Sequence, residues 1–277
     1  MRVLVTGASS YIAQYIINKL LSDGVIVVAI SRRNIDINHK NYIHKSLDLR
    51  FDEIPIDDYD FIIHMAAQSR LDKSALEYYE SNILITKRVS EFAIKVKPKA
   101  IIYTSSIKVY GEILDKVVDE NTSIRNPDLY GLTKYFGEKL LSEAAPTINL
   151  RLPGVITKGS HGWINSIFEK LLINKDITIF NSPYNHVVHS YDIYKIISIL
   201  LNYKNIKSDS YNVCASGISS SKEVVYLMKK LLNSKSKVSL EDSDGINHTI
   251  SNEKLRSIYT PMDVEDSMKM FLEDMNS

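Results

Sequence analysis

Tyr130 stands four residues before Lys134 in the stretch LYGLTK. On a helix that separation places both side chains on one face, one turn apart. A tyrosine hydroxyl ordinarily ionises near pH 10, which makes it a poor base and a poorly matched acid at neutral pH. An ammonium group beside it is expected to lower that pKa, so that the phenol can exchange a proton with a carbonyl or alcohol oxygen. The pairing selects nothing by itself. Tyr-x-x-x-Lys occurs six times in this chain, at Tyr15/Lys19, Tyr130/Lys134, Tyr135/Lys139, Tyr191/Lys195, Tyr203/Lys207 and Tyr226/Lys230.

Context separates the copies. Tyr15/Lys19 belongs to the first helical stretch, and Tyr203/Lys207 and Tyr226/Lys230 follow no strand that could present a partner. Tyr191/Lys195 sits in an isoleucine-rich helix and reads as packing plus surface charge. Tyr135/Lys139 lies about one turn beyond Tyr130/Lys134 on the same helix. Only Tyr130/Lys134 opens a helix downstream of a strand ending in YTSSIKVYG. Ser105 should face away from Ser106, because adjacent strand residues alternate sides.

A second constellation lies at the N-terminus. The strand-like VLVT runs into TGASSYIAQY and then a helix. A turn at Gly7 would aim the helix N-terminus, with its free N–H groups and positive dipole end, at a diphosphate. Gly7, Ser9, Ser10, Tyr11 and Ile12 are the candidate contacts. An NAD site wants an acidic residue at the end of the next strand, to hold the ribose 2′-hydroxyl. Here AISRRN places Ser31 and Arg32 there, a pair suited to a 2′-phosphate, so NADP(H) is the expected cofactor and NAD(H) the second choice.

The elements that must position these residues alternate along the first part of the chain. Residues 3–6, 25–30, 61–66, 100–105 and 148–153 are β-branched and nearly continuous in hydrophobicity, as buried parallel strands are. Between them lie helical patterns at about 11–24, 81–96 and 128–145, the first stopped by Asp23-Gly24 and the second by Pro98. This βαβ order predicts an α/β fold with a doubly wound parallel sheet, whose ligand site lies beyond the strands' carboxyl ends. After Pro153 the sequence turns glycine-rich and mixed. The reading is a dinucleotide-binding Rossmann part, 1–155 and 186–216, with a smaller substrate lobe, 156–185 and 217–277.

TGASSYIA, LDLR, HMAAQS, YYESNILIT, YTSSIKVYGE, PDLYGLTK and LRLPGVI occur here in the order found in extended short-chain dehydrogenases/reductases. The chain resembles the NAD-dependent epimerase/dehydratase branch of that family over roughly its first 155 residues. The resemblance implies catalytic roles for Ser106, Tyr130 and Lys134, with Lys134 also holding the nicotinamide ribose. It implies that Asp48, with Leu49 beside it, accepts from the adenine amino group. Ala66 and Ala67 would let the backbone lie against the cofactor, Pro153 would pass the nicotinamide, and Asn82 would be structural. His64 reads as a packed strand residue. Against the usual T-G-x-x-G-x-x-G, this chain keeps only the first glycine, with Ser10 and Ala13 in the other two places.

The resemblance also narrows the reaction. Ile107 and Lys108 follow Ser106 where 4,6-dehydratases of the family carry Asp-Glu, so dehydration is not expected. Ile107 also replaces the cysteine of the family's C3/C5 epimerase-reductases. Hydride chemistry at one carbon of a nucleotide-linked sugar remains: reduction of a 4-keto sugar, or 4-epimerisation with retained NAD. A cofactor-binding sensor without turnover is the rival class. The substrate end departs from the family, with Asn185, His186, Asn247 and His248 where arginines are usual and Lys158, His161 or Lys175 as basic substitutes.

Composition bounds the remainder. Lys and Arg total 34 against 33 Asp and Glu, which gives no basic excess for nucleic acid or an anionic membrane. No run approaches a membrane span. The single cysteine, Cys214, suits a reducing cytoplasm. The resemblance also implies that helices 81–96 and 128–145 pair with their counterparts in a homodimer, and no metal cluster is foreseen.

Overall fold

The structure, a computed structural model, describes residues 1–70, 72–241 and 248–276. It divides into two compact units. The first comprises residues 1–112, 123–151 and 194–211, and the second 113–122, 152–193 and 212–277. The stretch 186–216, read as part of the dinucleotide-binding part, is therefore split. Its strand Val187–His189 pairs with Gly154–Ile156 inside the second unit, whereas Asp209–Asn212 joins the main sheet.

The first unit is built on a seven-stranded sheet. Its strands include β1 (Arg2–Thr6), β2 (Ile26–Ser31), β3 (Tyr42–Ser46), β4 (Phe61–His64) and β5 (Ala100–Ser106). The order across the sheet is Asp209–Asn212, Thr147–Leu152, β5, β4, β1, β2, β3. The β3–β2, β2–β1, β1–β4 and β4–β5 pairings are all parallel. Four of these strands are the apolar runs of the sequence. β3 is not: its residues are half-buried or exposed, because an edge strand has one neighbour and needs no continuous apolar run. The order reverses between β1 and β4, so the β1 and β4 ends flank a topological switch point.

Helix α1 (Tyr11–Ser22) begins at Ser10, whose Oγ accepts from Ala13 N at 3.2 Å. It buries Ala13, Ile16, Ile17, Leu20 and Leu21, the three-and-four spacing of one face. Each such aliphatic side chain contributes roughly 1.5–3 kcal/mol when fully buried. After a short helix α2 (Ala75–Tyr78), one π-helical stretch (Tyr79–Leu84) leads into α3 (Ile85–Val96). Lys97 ends α3 in the left-handed region, one residue before Pro98. Helix α4 (Leu129–Ala144) starts at Asp128, whose Oδ1 accepts from Gly131 N at 2.7 Å.

The buried face of α4 is unlike that of α1. It carries Gly131, Thr133, Lys134, Gly137, Glu138 and only one large apolar residue, Leu141. The two glycines are close-approach positions. A Cβ on Gly131 would fall 2.1 Å from Lys108 O, and one on Gly137 would fall 2.5 Å from the Tyr103 hydroxyl. The helix thus lies almost backbone to backbone against the segment that follows β5.

The second unit has its own core of Ile164, Ile167, Phe168, Leu171, Val225, Met228, Met268 and Phe271 among others. These come mainly from helices Trp163–Leu172, Ser221–Leu231 and Val264–Asn276. Strand Ile177–Phe180 pairs in parallel with Val238–Glu241.

Candidate active site

Three side chains converge where β5 ends and α4 begins. Ser106 closes β5, and its Oγ accepts from Lys108 N at 3.2 Å. Tyr130 is half-buried in the first turn of α4, its ring 6.2 Å from that of Tyr78. Lys134, one turn on, is 1% exposed. Ser105 faces away, as strand alternation requires, and donates to Glu138 Oε1 at 2.6 Å.

The six Tyr/Lys pairs now differ physically. Lys19 lies 5.6 Å above the ring of its own partner Tyr15, and Lys139 lies 5.0 Å above Tyr135. Lys134 instead packs its ammonium 4.2 Å from the centroid of the Tyr103 ring, on β5. Tyr130 therefore keeps its ring and hydroxyl for another partner.

One expectation needs correction. The Tyr130 hydroxyl is not lowered by Lys134 in this arrangement; burial raises its pKa to about 12, and the Ser106 hydroxyl offsets only part of that. Burial also lowers Lys134 to about 7, with Glu138 acting in the opposite sense. Desolvation outweighs mutual attraction because both groups sit in a poorly hydrated wall. At neutral pH the phenol stands protonated, a proton donor in waiting.

The floor beneath the cluster is a chain of hydroxyls and one imidazole. His64 is fully buried, with Nδ1 2.7 Å from Thr6 Oγ1 and Nε2 2.9 Å from Thr86 Oγ1. Its ring stacks on Tyr103 at 5.3 Å. Burial, then Lys134, lowers His64 to about 3, so it stays neutral and packs rather than acting as a base. Asn82 is structural in a specific way. Its Oδ1 accepts from Gln68 N at 2.7 Å, and its Nδ2 donates to Gln68 O at 3.1 Å and to Thr133 Oγ1 at 2.9 Å. It ties the loop after β4 to the turn of α4 between Tyr130 and Lys134.

The residues offered to a dinucleotide lie past the carboxyl ends of β1, β2 and β4. Gly7 has φ +71°, and a Cβ there would meet the backbone of Met65 and Ala66 at 2.6–2.7 Å. Ser10 has φ −74° and serves as the α1 N-cap, so the missing second glycine leaves no backbone strain. Its Oγ accepts from Ala13 N, and its proton stays available to a phosphate. Ser9 and Tyr11 are exposed, Ile12 is half-buried, and the first turn of α1 holds no acidic residue to repel an anion. Ala66 N donates to Thr6 Oγ1 at 3.4 Å, while Ala67 is exposed. These residues fit a diphosphate at the helix terminus.

At the end of β2 the two expected ligands of a 2′-group part company. Ser31 is buried, its Oγ donating to Arg33 O at 2.7 Å. His44 Nε2 lies 3.0 Å from Ser31 Oγ. The Ser31 hydroxyl is thus spent within the strand end, whereas Arg32 is exposed. Asp48 is gripped by Arg50, with Nη2 to Oδ2 at 2.7 Å and Nε to Oδ1 at 3.0 Å. That hydrogen bonding holds its carboxyl below the usual carboxylate range. Leu49 is part of the apolar core. Pro153 follows the strand Thr147–Leu152 and belongs to the second unit.

Sequence reasoning passed over Glu138, Arg151 and Tyr110. Arg151 Nε and Nη2 donate to Glu138 Oε1 and Oε2 at 3.0 and 2.8 Å, and Nη1 donates to the Tyr110 hydroxyl at 3.0 Å. The signal available was Glu138 at the fourth position after Lys134, on the face that also carries both helix glycines.

In the second unit, a pocket of about 580 Å³ is lined by Trp163, Phe180, Tyr184 and His186, with His161 and Lys170 as its other basic residues. The Trp163 and Tyr184 rings lie 5.1 Å apart. Asn185 is held by the backbone of Ile250, donating to its oxygen at 2.7 Å and accepting from its nitrogen at 3.1 Å. His186 Nε2 is 3.0 Å from His248 O, while Asn247 lies outside the described residues. Lys158 and Lys175 do not line the pocket. Among the described residues no three metal-ligating side chains gather, and no helix is long and apolar enough to cross a membrane.

A parallel sheet with a phosphate-ready turn after β1 and a Ser-Tyr-Lys cluster after β5 defines a dinucleotide-dependent oxidoreductase of the short-chain dehydrogenase/reductase type. The chain belongs to the NAD dependent epimerase/dehydratase family, whose model matches residues 3–214. It is 30% identical over 228 residues to a putative UDP-glucose 4-epimerase of Methanocaldococcus jannaschii, covering 73% of this chain and 74% of that one. It is 25% identical over 201 residues to D-erythronate dehydrogenase of Haemophilus influenzae, covering 64% of each. In fold it is similar to MoeE5 in complex with UDP-glucuronic acid and NAD, with a TM-score of 0.85 and 20% identity. That likeness covers 100% of this chain and 99% of the other. UDP-glucuronic acid 4-epimerase from Bacillus cereus, in complex with NAD, gives a TM-score of 0.84 at 19% identity, with the same coverage.

Proposed function

We propose that this protein is an NADP(H)-dependent oxidoreductase that acts at one carbon of a nucleotide-linked sugar, as a 4-keto-sugar reductase. The observation that carries this reading is the placement of Ser106 at the end of β5 and of Tyr130 in the first turn of α4, one turn before the buried Lys134. Ser106 and Tyr130 hold the substrate's carbonyl oxygen. As that oxygen gains charge, Tyr130 hands it the phenolic proton. Lys134 supplies the positive charge that stabilises the phenolate left behind. The reduced nicotinamide, when bound, supplies the hydride.

The preference for NADP(H) rests on the end of β2, where no carboxylate stands and Arg32 is exposed to meet a 2′-phosphate. The pocket of the second unit supports a ligand with an aromatic group, since Trp163, Tyr184 and Phe180 give it faces on which a base can stack. Its basic lining residues are Lys170, His161 and His186, a weaker set for a diphosphate than arginine. A homodimer is supported by Leu129, Leu132 and Phe136, which form an exposed apolar stripe along α4. The single buried Cys214 suits a reducing cytoplasm.

Epimerisation at C4 with retained NAD is the second reading, favoured by the 30% identical relative. One experiment separates the two. The purified protein is mixed with NADPH and a panel of nucleotide-linked 4-keto sugars, and separately with UDP-glucose and no added cofactor. Loss of NADPH absorbance is expected. Epimer formation without added cofactor would favour the second reading, and silence in both arms would remove both.

A further inference from the structure

We propose that Glu138, one turn further along the buried face of α4, is a positioning residue that keeps the buried Lys134 ammonium charged. The inference rests on the reading of Ser106, Tyr130 and Lys134 given above and adds a fourth residue behind them. Glu138 lies one helical turn beyond Lys134, on the same buried face of α4. It is 3% exposed, a setting in which a carboxylate survives only if it is paired and hydrogen-bonded. It is both. Ser105 donates to Oε1 at 2.6 Å, Arg151 Nε to the same oxygen at 3.0 Å, and Arg151 Nη2 to Oε2 at 2.8 Å.

These three donors fix where the negative charge sits. Arg151 is fixed in turn, donating through Nη1 to the Tyr110 hydroxyl at 3.0 Å while its guanidinium lies 5.0 Å from that ring. The Glu138 carboxylate is thus ion-paired with Arg151 on one side, while Lys134 lies one helical turn before it on the same buried face. The other titratable groups facing Lys134 from neighbouring elements are uncharged at neutral pH. His64 on β4 is lowered to about 3, and Tyr103 on β5 is raised well above 10 by its burial. Tyr130, on the same helix, is raised to about 12. Among the described residues, Glu138 is the one carboxylate that opposes the desolvation of Lys134. Without it, burial alone governs the lysine, and the proton is lost at lower pH.

The test follows the Lys134 side chain by NMR titration of the unligated protein, labelled at lysine and glutamate, with Lys134→Arg used to assign the signal. In wild type the lysine is expected to titrate near neutrality. In Glu138→Gln its midpoint should fall by about one unit or more. Glu138→Asp, which keeps the charge, should restore most of the shift. The basic limb of the kcat/KM profile should move to lower pH with Glu138→Gln, with activity recovered below pH 6. A purely structural role would reduce kcat/KM evenly at all pH values. An unchanged Lys134 midpoint in Glu138→Gln overturns the proposal. Should that variant fail to fold, the wild-type Glu138 carboxyl resonance decides. It must move at the Lys134 midpoint, and a flat response there also overturns the inference. Because these titrations need no turnover, a failed enzyme assay would count against the proposed function and leave this result standing.

Discussion

In the proposed reaction Tyr130 acts through one atom. Replacing it by phenylalanine removes the phenolic oxygen and little else, so the turnover number should fall by about two to four orders of magnitude while cofactor affinity holds. Stopped-flow turnover together with a fluorescence titration of NADPH measures both. A protein that merely senses the cofactor would respond to neither. Arg32 makes the complementary case at the other end of the dinucleotide. With Ser31 committed to Arg33 O, the proposed preference for NADP(H) rests on the Arg32 guanidinium. Arg32→Ala should weaken NADPH binding about tenfold to a hundredfold, the value of a charge-assisted contact, and leave NADH unchanged. Equal losses for both cofactors, measured by calorimetry, would remove the preference. Gly131 acts through what it lacks. Alanine is worth about 1 kcal/mol over glycine in an open helix, yet here its Cβ would strike Lys108 O at 2.1 Å. Gly131→Ala should therefore destabilise the fold in chemical denaturation, against the helix scale.

At the scale of elements, the strands were legible because buried parallel strands leave long apolar runs, and β1, β2, β4 and β5 each have one. β3 escaped because YIHKS at an open edge alternates weakly and carries charge. The candidate site was legible at Ser106, Tyr130 and Lys134, since the strand before them and the helix start at Asp128 fixed their context. It was not legible at Glu138, which reads in the sequence as an ordinary charged helix residue until Arg151 arrives from another strand. Nor was the upward pKa shift of Tyr130 readable: charge spacing can be counted along a chain, but desolvation depends on what covers the ring. The same competition acts on Asp192, fully buried at the start of helix Ser190–Leu200. Burial raises its carboxyl to about 6, although the Tyr259 hydroxyl donates to Oδ1 at 2.8 Å. A carboxyl raised on folding binds its proton more tightly in the folded state. Its contribution is complete below the unfolded pKa of about 4 and is lost as pH rises to about 6, a swing of about 3 kcal/mol. Stability measured by denaturant from pH 4 to 7 should show that fall, and Asp192→Asn should flatten it. A profile equally steep in the variant would assign the slope to other groups.

At the scale of the molecule, α4 has two faces with separate tasks. Its inner face carries Tyr130 and Lys134 at the candidate site with Glu138 behind them, and its outer face leaves Leu129, Leu132 and Phe136 between 37% and 50% exposed at helical spacing. Three large apolar residues in one stripe are more than a solvated surface ordinarily carries. A two-fold axis lets the same stripe meet itself, so that one patch on each copy closes the contact without leaving an open end. The protein is therefore expected to run as a dimer in light scattering at micromolar concentration. Phe136→Glu would place two like charges in an apolar seam and should yield a monomer. Because Phe136 points away from the buried face, that monomer should still bind NADPH. If it also loses the pH dependence of Lys134, the outer contact must be holding α4 in place, and association would then be part of how the buried charges are set. A wild-type protein that scatters as a monomer leaves the stripe without this partner.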